Sequence, residues 1–428
     1  MPNSIKVQLL LTGNEIMSGV TSDTNSTRMA HALSTLGISI HRKVTVGDDI
    51  TLLIEALQNQ SQNSNVLIVN GGLGPTVDDL SVEAAAKAFD LSIKKHPDAF
   101  SHVQNWCKRI HAELNQANLK QSYLPEGADI LANSIGSAVG FSLVQNNCLI
   151  LFTPGVPSEL EAMLDNAILP KLKVKFPNIT QAYIERLHFF GIGESRFQQT
   201  VDDKITDWPE EVTLSFRAGS PTLEVKLTSF HKSHASIKDA CRKQLFNLFG
   251  DYFITEGNST LAEALVKLLK ENNKRITFAE SCTGGKMASL LTEVSGASQV
   301  FDAGFVSYSN TIKNQLLNVK LETIEQHGAV SEKVVNEMLL GALKLSQADY
   351  GIAVSGIAGP DGGSDEKPIG TVCFAWGSPN DYQSCTFLMP RSRKMFQLMV
   401  AATGFDLIRR KICNIEEAPI YFGRKRLS

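Results

Sequence analysis

The feature that most constrains this chain is a recurring order of elements. A short apolar run is followed by a turn of glycine and small polar residues, and then by apolar residues at helical spacing. "VLIVN" (66–70) leads into "GGLGPTVDD" and "LSVEAAAKAF", and "RITFA" (275–279) leads into "ESCTGG" and "KMASLLTEV". Runs apolar on both faces belong in sheets covered on both sides, and a parallel neighbour is reached only through a crossover helix. The pattern therefore predicts an α/β fold built on parallel sheets. In such sheets ligands sit beyond the C-terminal ends of the strands, where these glycine turns lie.

The chain of 428 residues is long enough for two or three cores. Residues 1–170 carry the first set of strands and helices, including "IKVQLLLT", "SDTNSTRMAHALSTLG", "ISIHRKVTV" and a helix "ITLLIEALQNQ" opened by Asp48 and Asp49. Residues 171–255 differ. "EVTLSFRAGSPTLEVKLTSF" reads as a hairpin in which Val212, Leu214 and Phe216 face Leu223, Val225 and Leu227, with helical patterns on either side. This predicts a small α+β connecting domain. It has a K-homology-like size but lacks the basic G-x-x-G loop that RNA binding would use. Residues 256–428 return to α/β and end in a helix from about Arg391 to Ile412. No internal sequence repeat accompanies the recurring order.

A net charge of −3 argues against a general nucleic-acid or membrane-surface binder. No stretch approaches the ~18 apolar residues of a membrane span, and "MPNSIKVQLLLTGNEIM" has too short an apolar run for a secretory leader. Seven scattered cysteines without a C-x-x-C pair suit reduced thiols. The expectation is a cytoplasmic protein without nucleic-acid or membrane partners.

Ser281, Cys282 and Thr283 stand between a strand and a helix, before Gly284 and Gly285. Such a turn aims backbone N–H groups at a phosphate or an oxyanion, although a plain capped turn has the same composition. A nucleophilic serine needs a base. His327 is the only histidine after residue 255 and sits in a turn, which leaves Tyr308 and Lys313 of "VSYSNTIK". A lysine neutralised by burial can take a serine proton. A third loop, "SGIAGPDGG" (355–363), offers Gly356, Gly359, Gly362 and Gly363 for close backbone approach to a ligand. In the first segment, Gly71, Gly72 and Gly74 can cradle phosphate. Asp78 and Asp79 can hold a divalent metal or cap the helix at Leu80, and Glu15 and Asn25 lie near another strand end.

The motifs "GGLGPTVDD", "PGVPSEL", "AESCTGG", "VSYSNTIK", "HGAVS" and "GIAGPDGG", in this order, resemble the CinA (competence/damage-inducible protein A) family over nearly the whole chain. The resemblance implies a molybdopterin-binding-like N-terminal domain acting as a metal-dependent ADP-ribose pyrophosphatase. It implies a C-terminal domain that deamidates nicotinamide mononucleotide (NMN) to nicotinate mononucleotide and ammonia. Ser281 would be the nucleophile, Tyr308 and Lys313 its helpers. Substrate would also meet Cys282, Thr283, Gly284, Gly285, Asn310, Gly356, Ala358, Gly359 and Arg391. Around the first site the resemblance adds Thr76, Asn118, Gln121, Gly155, Ser158 and Glu159. A divalent ion, cobalt or magnesium, on Asp78 and Asp79 is expected there, with potassium a further candidate and no cofactor for the deamidase. A homodimer is the expected assembly. Arg391, Arg393 and Lys394 are expected in the first turn of the last helix, where a substrate phosphate would offset their charge against the helix dipole. The alternative is that the first domain only binds a nucleotide or pterin and the protein serves as a competence-related interaction partner.

Overall fold

Strand β1 (Val7–Thr12) is buried along its whole length because both of its faces are covered. Leu10 points into one core with Leu53, Leu57 and Ala85, while Leu9 and Leu11 point into another with Met29, Leu33 and Leu160. The computed structural model describes residues 5–177 and 182–416. These form two compact units, divided between Tyr183 and Ile184 except that Phe230–Lys232 belong with the first.

The first unit holds a six-stranded sheet in the order β2-β1-β3-β8-β7-β6. Here β2 is Ile40–Val46, β3 Val66–Asn70, β6 Asp129–Leu131, β7 Gly140–Gln145 and β8 Cys148–Thr153. The four strands β2, β1, β3 and β8 run parallel, and β7 and β6 add an antiparallel edge. Strands β4 (Ile93–Lys95) and β5 (Tyr123–Pro125) form a separate antiparallel ribbon. The helices Asn25–Ser34, Ile50–Gln62 and Ser81–Ala88 fall within the expected segments. Asp49 alone caps Ile50–Gln62, accepting from the N–H groups of Thr51 and Leu52. Asp48 instead accepts from the Thr12 hydroxyl and the Asn14 N–H. The expected boundary after residue 170 falls inside the helix Leu169–Lys175, whose Leu172 is buried in this unit's core.

The second unit holds two sheets. One is four-stranded, ordered β10-β11-β9-β12, with β9 Tyr183–Phe189, β10 Thr213–Ala218, β11 Leu223–Ser229 and β12 Phe253–Glu256. The expected hairpin is present, with Leu214 opposite Leu227 and Phe216 opposite Val225. Its neighbours β9 and β12 replace part of the helical flanks expected from sequence. Helices Glu194–Lys204 and Ala235–Phe249 cover this sheet, with the Phe197 and Phe249 rings stacked at 3.8 Å.

The other sheet is five-stranded, ordered β14-β13-β15-β16-β17. Parallel β13 (Ile276–Glu280), β14 (Phe301–Val306) and β15 (Tyr350–Gly356) are continued by antiparallel β16 (Thr371–Ser378) and β17 (Asp381–Leu388). The last helix is Arg393–Ile412; Ser392 holds the position before it without a side-chain capping bond. Phe396, Phe405 and Ile408 are buried as expected, and Met399 and Ile412 partly so. The burial extends around the whole helix from Val400 to Arg410. A helix so enclosed must neutralise its own charges. Asp406 accepts from the guanidinium groups of Arg409 and Arg410, both of which also donate to the carbonyl oxygen of Asp251, at 2.8 and 2.9 Å. Arg391 lies before the cap, so the expectation that it sits in the first turn is corrected. Arg393 opens the helix. Among the described residues no helix is long and apolar enough to cross a membrane.

Candidate active site

Because β13 lies between β14 and β15, the three turns that leave their C-terminal ends are neighbours. Ser281 follows β13, Tyr308 follows β14, and the 357–370 loop follows β15. Ser281 is held in place by its N–H, which donates to the carbonyl of Val354 on β15. Gly284 and Gly285 take φ of 61° and 93°, the left-handed backbone that glycine adopts at least cost, and so turn the chain into the helix Lys286–Thr292.

Lys313 lies in the helix Asn310–Leu317, capped by Ser309, and is 1% exposed. Its Nζ lies 3.0 Å from Ser281 Oγ, 2.9 Å from the Ser307 carbonyl and 3.2 Å from the Tyr308 carbonyl. Burial lowers its pKa from the ordinary lysine value. A neutral amine has two N–H bonds and one lone pair. In the geometry present the amine donates to Ser281 Oγ and to both carbonyls; once neutral it would keep two N–H bonds for the carbonyls and turn its lone pair to the Ser281 hydroxyl proton.

Tyr308 is 60% exposed. Its contribution to Lys313 is the backbone carbonyl, while its hydroxyl accepts from Arg393 at 3.1 Å. The same guanidinium donates to the carbonyl of Gly359 at 2.8 Å. Arg393 therefore ties two of the three turns together, whereas Arg391 is exposed and forms no hydrogen bond or ion pair among the described residues. Gly356 ends β15 and Ala358 is buried, while Asn310 is exposed at the start of its helix.

Of the N–H groups that the 281–285 turn was expected to aim at an oxyanion, several are already engaged. The carboxylate of Glu280, itself buried, accepts from the N–H groups of Gly285, Met287 and Ala288. The Gly284 N–H donates to the Ser281 carbonyl. The N–H groups of Cys282 and Thr283 are left without a partner among the described residues. The Thr283 hydroxyl is also buried and without a partner. Cys282 is buried, and burial pushes its thiol up to about 12, so it stays protonated at neutral pH. Its carbonyl accepts from Gln397. Glu280 and Gln397 were not singled out from the sequence. A carboxylate directly before a helix-opening turn is the signal that could have marked the first.

In the first unit, Glu15, Asn25, Gly71, Gly72, Gly74, Asp78, Asp79, Gln121, Gly155 and Glu159 line one cavity of about 440 Å³ at the strand ends. Thr76, Asn118 and Ser158 are not in its lining. The Gly71 N–H is taken by the Thr153 carbonyl and the Gly74 N–H by Asp79, so neither is free for phosphate. Asp79 accepts from the N–H groups of Gly74 and Thr76 and from the Thr76 hydroxyl, and does not cap the helix Ser81–Ala88. Lys120 donates to the Thr76 and Asp79 carbonyls and pins this turn. Among the described residues no three His, Cys, Asp or Glu side chains gather around one point, so a divalent ion at Asp78 and Asp79 would complete its shell with ligand oxygens and water.

Residues 258–412 match the family described as CinA C-terminal domain, and residues 8–174 the family described as probable molybdopterin binding domain. A CinA-like protein of Colwellia psychrerythraea is 47% identical over 423 residues, covering 98% of each chain. A CinA-like protein of Shewanella piezotolerans is 36% identical over 417 residues, covering 97% of each. A solved CinA superfamily protein from Klebsiella pneumoniae is 34% identical, covering 36% of this chain and 96% of its own, with a TM-score of 0.35.

Proposed function

As the chain belongs to the CinA family, we propose that its C-terminal domain is a serine amidohydrolase converting NMN to nicotinate mononucleotide and ammonia. The observation that carries this reading is the buried Lys313 amine 3.0 Å from Ser281 Oγ. Neutral Lys313 takes the hydroxyl proton as Ser281 attacks the carboxamide carbon. The N–H groups of Cys282 and Thr283, unpartnered among the described residues, donate to the oxyanion, and the Thr283 hydroxyl adds a donor or acceptor for the carboxamide. Lys313 then returns the proton to the leaving nitrogen, so that the tetrahedral adduct expels ammonia and leaves an acyl-serine. Water, deprotonated by the same amine, cleaves the ester and regenerates Ser281. Arg393, between the exposed Tyr308 hydroxyl and the Gly359 turn, supplies positive charge for the 5′-phosphate. The test is ammonia release from NMN, with trapping of an acyl-enzyme on Ser281 by rapid quench and mass spectrometry. Turnover without label on Ser281 would sink the covalent route.

For the N-terminal domain we propose nucleotide binding, with ADP-ribose as the ligand class and its pyrophosphate as the bond exposed to hydrolysis. Glu15, Asp23, Asp48, Asp78, Asp79 and Glu159 line the cavity, and no lysine or arginine does. Anionic phosphates entering such a site need counter-charge, which a cobalt or magnesium ion would supply. Isothermal titration of ADP-ribose with and without magnesium tests this. Binding that is unchanged by the cation would contradict it.

A further inference from the structure

The two N–H groups that face the oxyanion belong to successive peptide units, and each unit is held by its other end. A peptide is planar and trans, so its C=O and its N–H point in opposite directions, and fixing one aims the other. The Cys282 N–H shares a unit with the Ser281 carbonyl, which accepts from the Gly284 N–H at 3.1 Å. The Thr283 N–H shares a unit with the Cys282 carbonyl, which accepts from Gln397 Nε2, also at 3.1 Å. The first unit is thus aimed from within its own turn. The second is aimed by a side chain 115 residues further along the chain.

Gln397 lies in the last helix, one turn after Arg393, so the two side chains leave the same face. Arg393 reaches the turns that follow β14 and β15, and Gln397 reaches the turn that follows β13. One helical face therefore touches all three turns of the candidate site. Among the described residues no other donor meets the Cys282 carbonyl. A hydrogen bond to a carbonyl also polarises its peptide unit and strengthens the N–H at the other end as a donor. That gain is largest for the negative oxygen of the tetrahedral adduct, which exists only once Ser281 has attacked. It is small for the neutral carboxamide of bound substrate, so it favours the transition state over the ground state.

We infer that Gln397 is a positioning residue of the deamidase, which sets the direction and the donor strength of the Thr283 N–H and so acts on the rate of acylation and not on substrate affinity. The inference rests on the reading of this domain as a serine amidohydrolase. It adds to that reading a side chain on which one half of the oxyanion site depends.

The experiment is steady-state ammonia release by the full chain from NMN and from its thiocarboxamide analogue, thionicotinamide mononucleotide. Gln397→Met keeps the length of the side chain and removes its donor. It should lower kcat for NMN by about tenfold or more and leave KM within about twofold. The loss on the thio substrate should be smaller, because sulfur is the weaker acceptor and gains less from an aimed N–H. Gln397→Glu, of the same shape, sets a carboxylate against the carbonyl oxygen and should lower kcat further. An unchanged kcat in Gln397→Met would overturn the inference. So would a raised KM at unchanged kcat, which would assign Gln397 to substrate binding. Equal losses on the two substrates would overturn it in favour of support for the fold. Absence of ammonia from both substrates with the wild type would overturn the amidohydrolase reading itself. Should Gln397→Met lose its cooperative unfolding transition, Gln397→Glu decides alone, and a kcat at the wild-type level in it overturns the inference.

Discussion

Lys313 and Ser281 are 32 residues apart in sequence, yet the lysine amine and the serine hydroxyl are 3.0 Å apart in a region closed to solvent. Ser281→Ala should lower ammonia release from NMN by about a thousandfold or more, as loss of a covalent nucleophile does. Cys282→Ala should keep the rate within a few-fold, because its thiol is buried and protonated. The reverse ranking of the two variants would refute the assignment.

The lowered pKa of Lys313 sets a pH dependence with a definite sign. Only the neutral amine accepts the serine proton, so the acylation rate should rise with pH and level off once Lys313 is deprotonated. The plateau should begin below the ordinary lysine value of about 10.4. Lys313→Arg, which does not lose its proton in this range, should be inactive throughout. Stability is linked to the same group. Between its folded and unfolded pKa values the native state holds fewer protons here than the unfolded chain, so stability should rise with pH across that window. Denaturant titrations of Lys313→Met at several pH values should lack this increment.

Arg393 and Arg391 make a paired comparison. Arg393→Ala should raise the KM for NMN by about tenfold or more, the cost of one charge-assisted bond. Arg391→Ala should change it less than twofold, since that side chain is exposed and lies before the helix cap. A parallel assay with nicotinamide riboside, which lacks the phosphate, should show little difference among the three proteins. Equal losses on both substrates for Arg393→Ala would assign it to the turns it bridges and not to phosphate.

Glu280→Gln should destabilise the second unit by about 2 kcal/mol in urea, because a charged acceptor facing three N–H groups at a helix start becomes a neutral amide. Loss of less than about 0.5 kcal/mol would show that water or a rearranged turn satisfies those groups equally well.

Much of this was legible in sequence because local chemistry and final position agree. Apolar runs before glycine turns became parallel strands, and Ser281 and Tyr308, with Lys313 in the helix that follows Tyr308, meet because the sheet order brings those strand ends together. What was not legible depends on partners far along the chain. Strand β9, "YIERLHF", carries Glu185, Arg186 and His188 and reads as polar until β11 and β12 flank it. That Arg391 lies before the last helix while Arg393 opens it turns on where the helix starts, a shift of two residues that spacing does not resolve. Asp79 looked like a metal ligand or a cap. It caps no helix, and its oxygens close the very turn whose glycines suggested a phosphate cradle.

The clamp of Arg409 and Arg410 on Asp251 sets a limit on how the second unit can be divided. Twenty helical residues make a rod of about 30 Å, gripped near one end by the backbone next to the four-stranded sheet and carrying at the other the arginine that bridges two turns of the candidate site. Excision at residue 256 would separate two sheets that look independent in sequence, and would leave a pair of guanidinium groups facing an absent carbonyl. Severing the chain there breaks a strut, so what can be cut out as a sequence segment need not be an autonomous part.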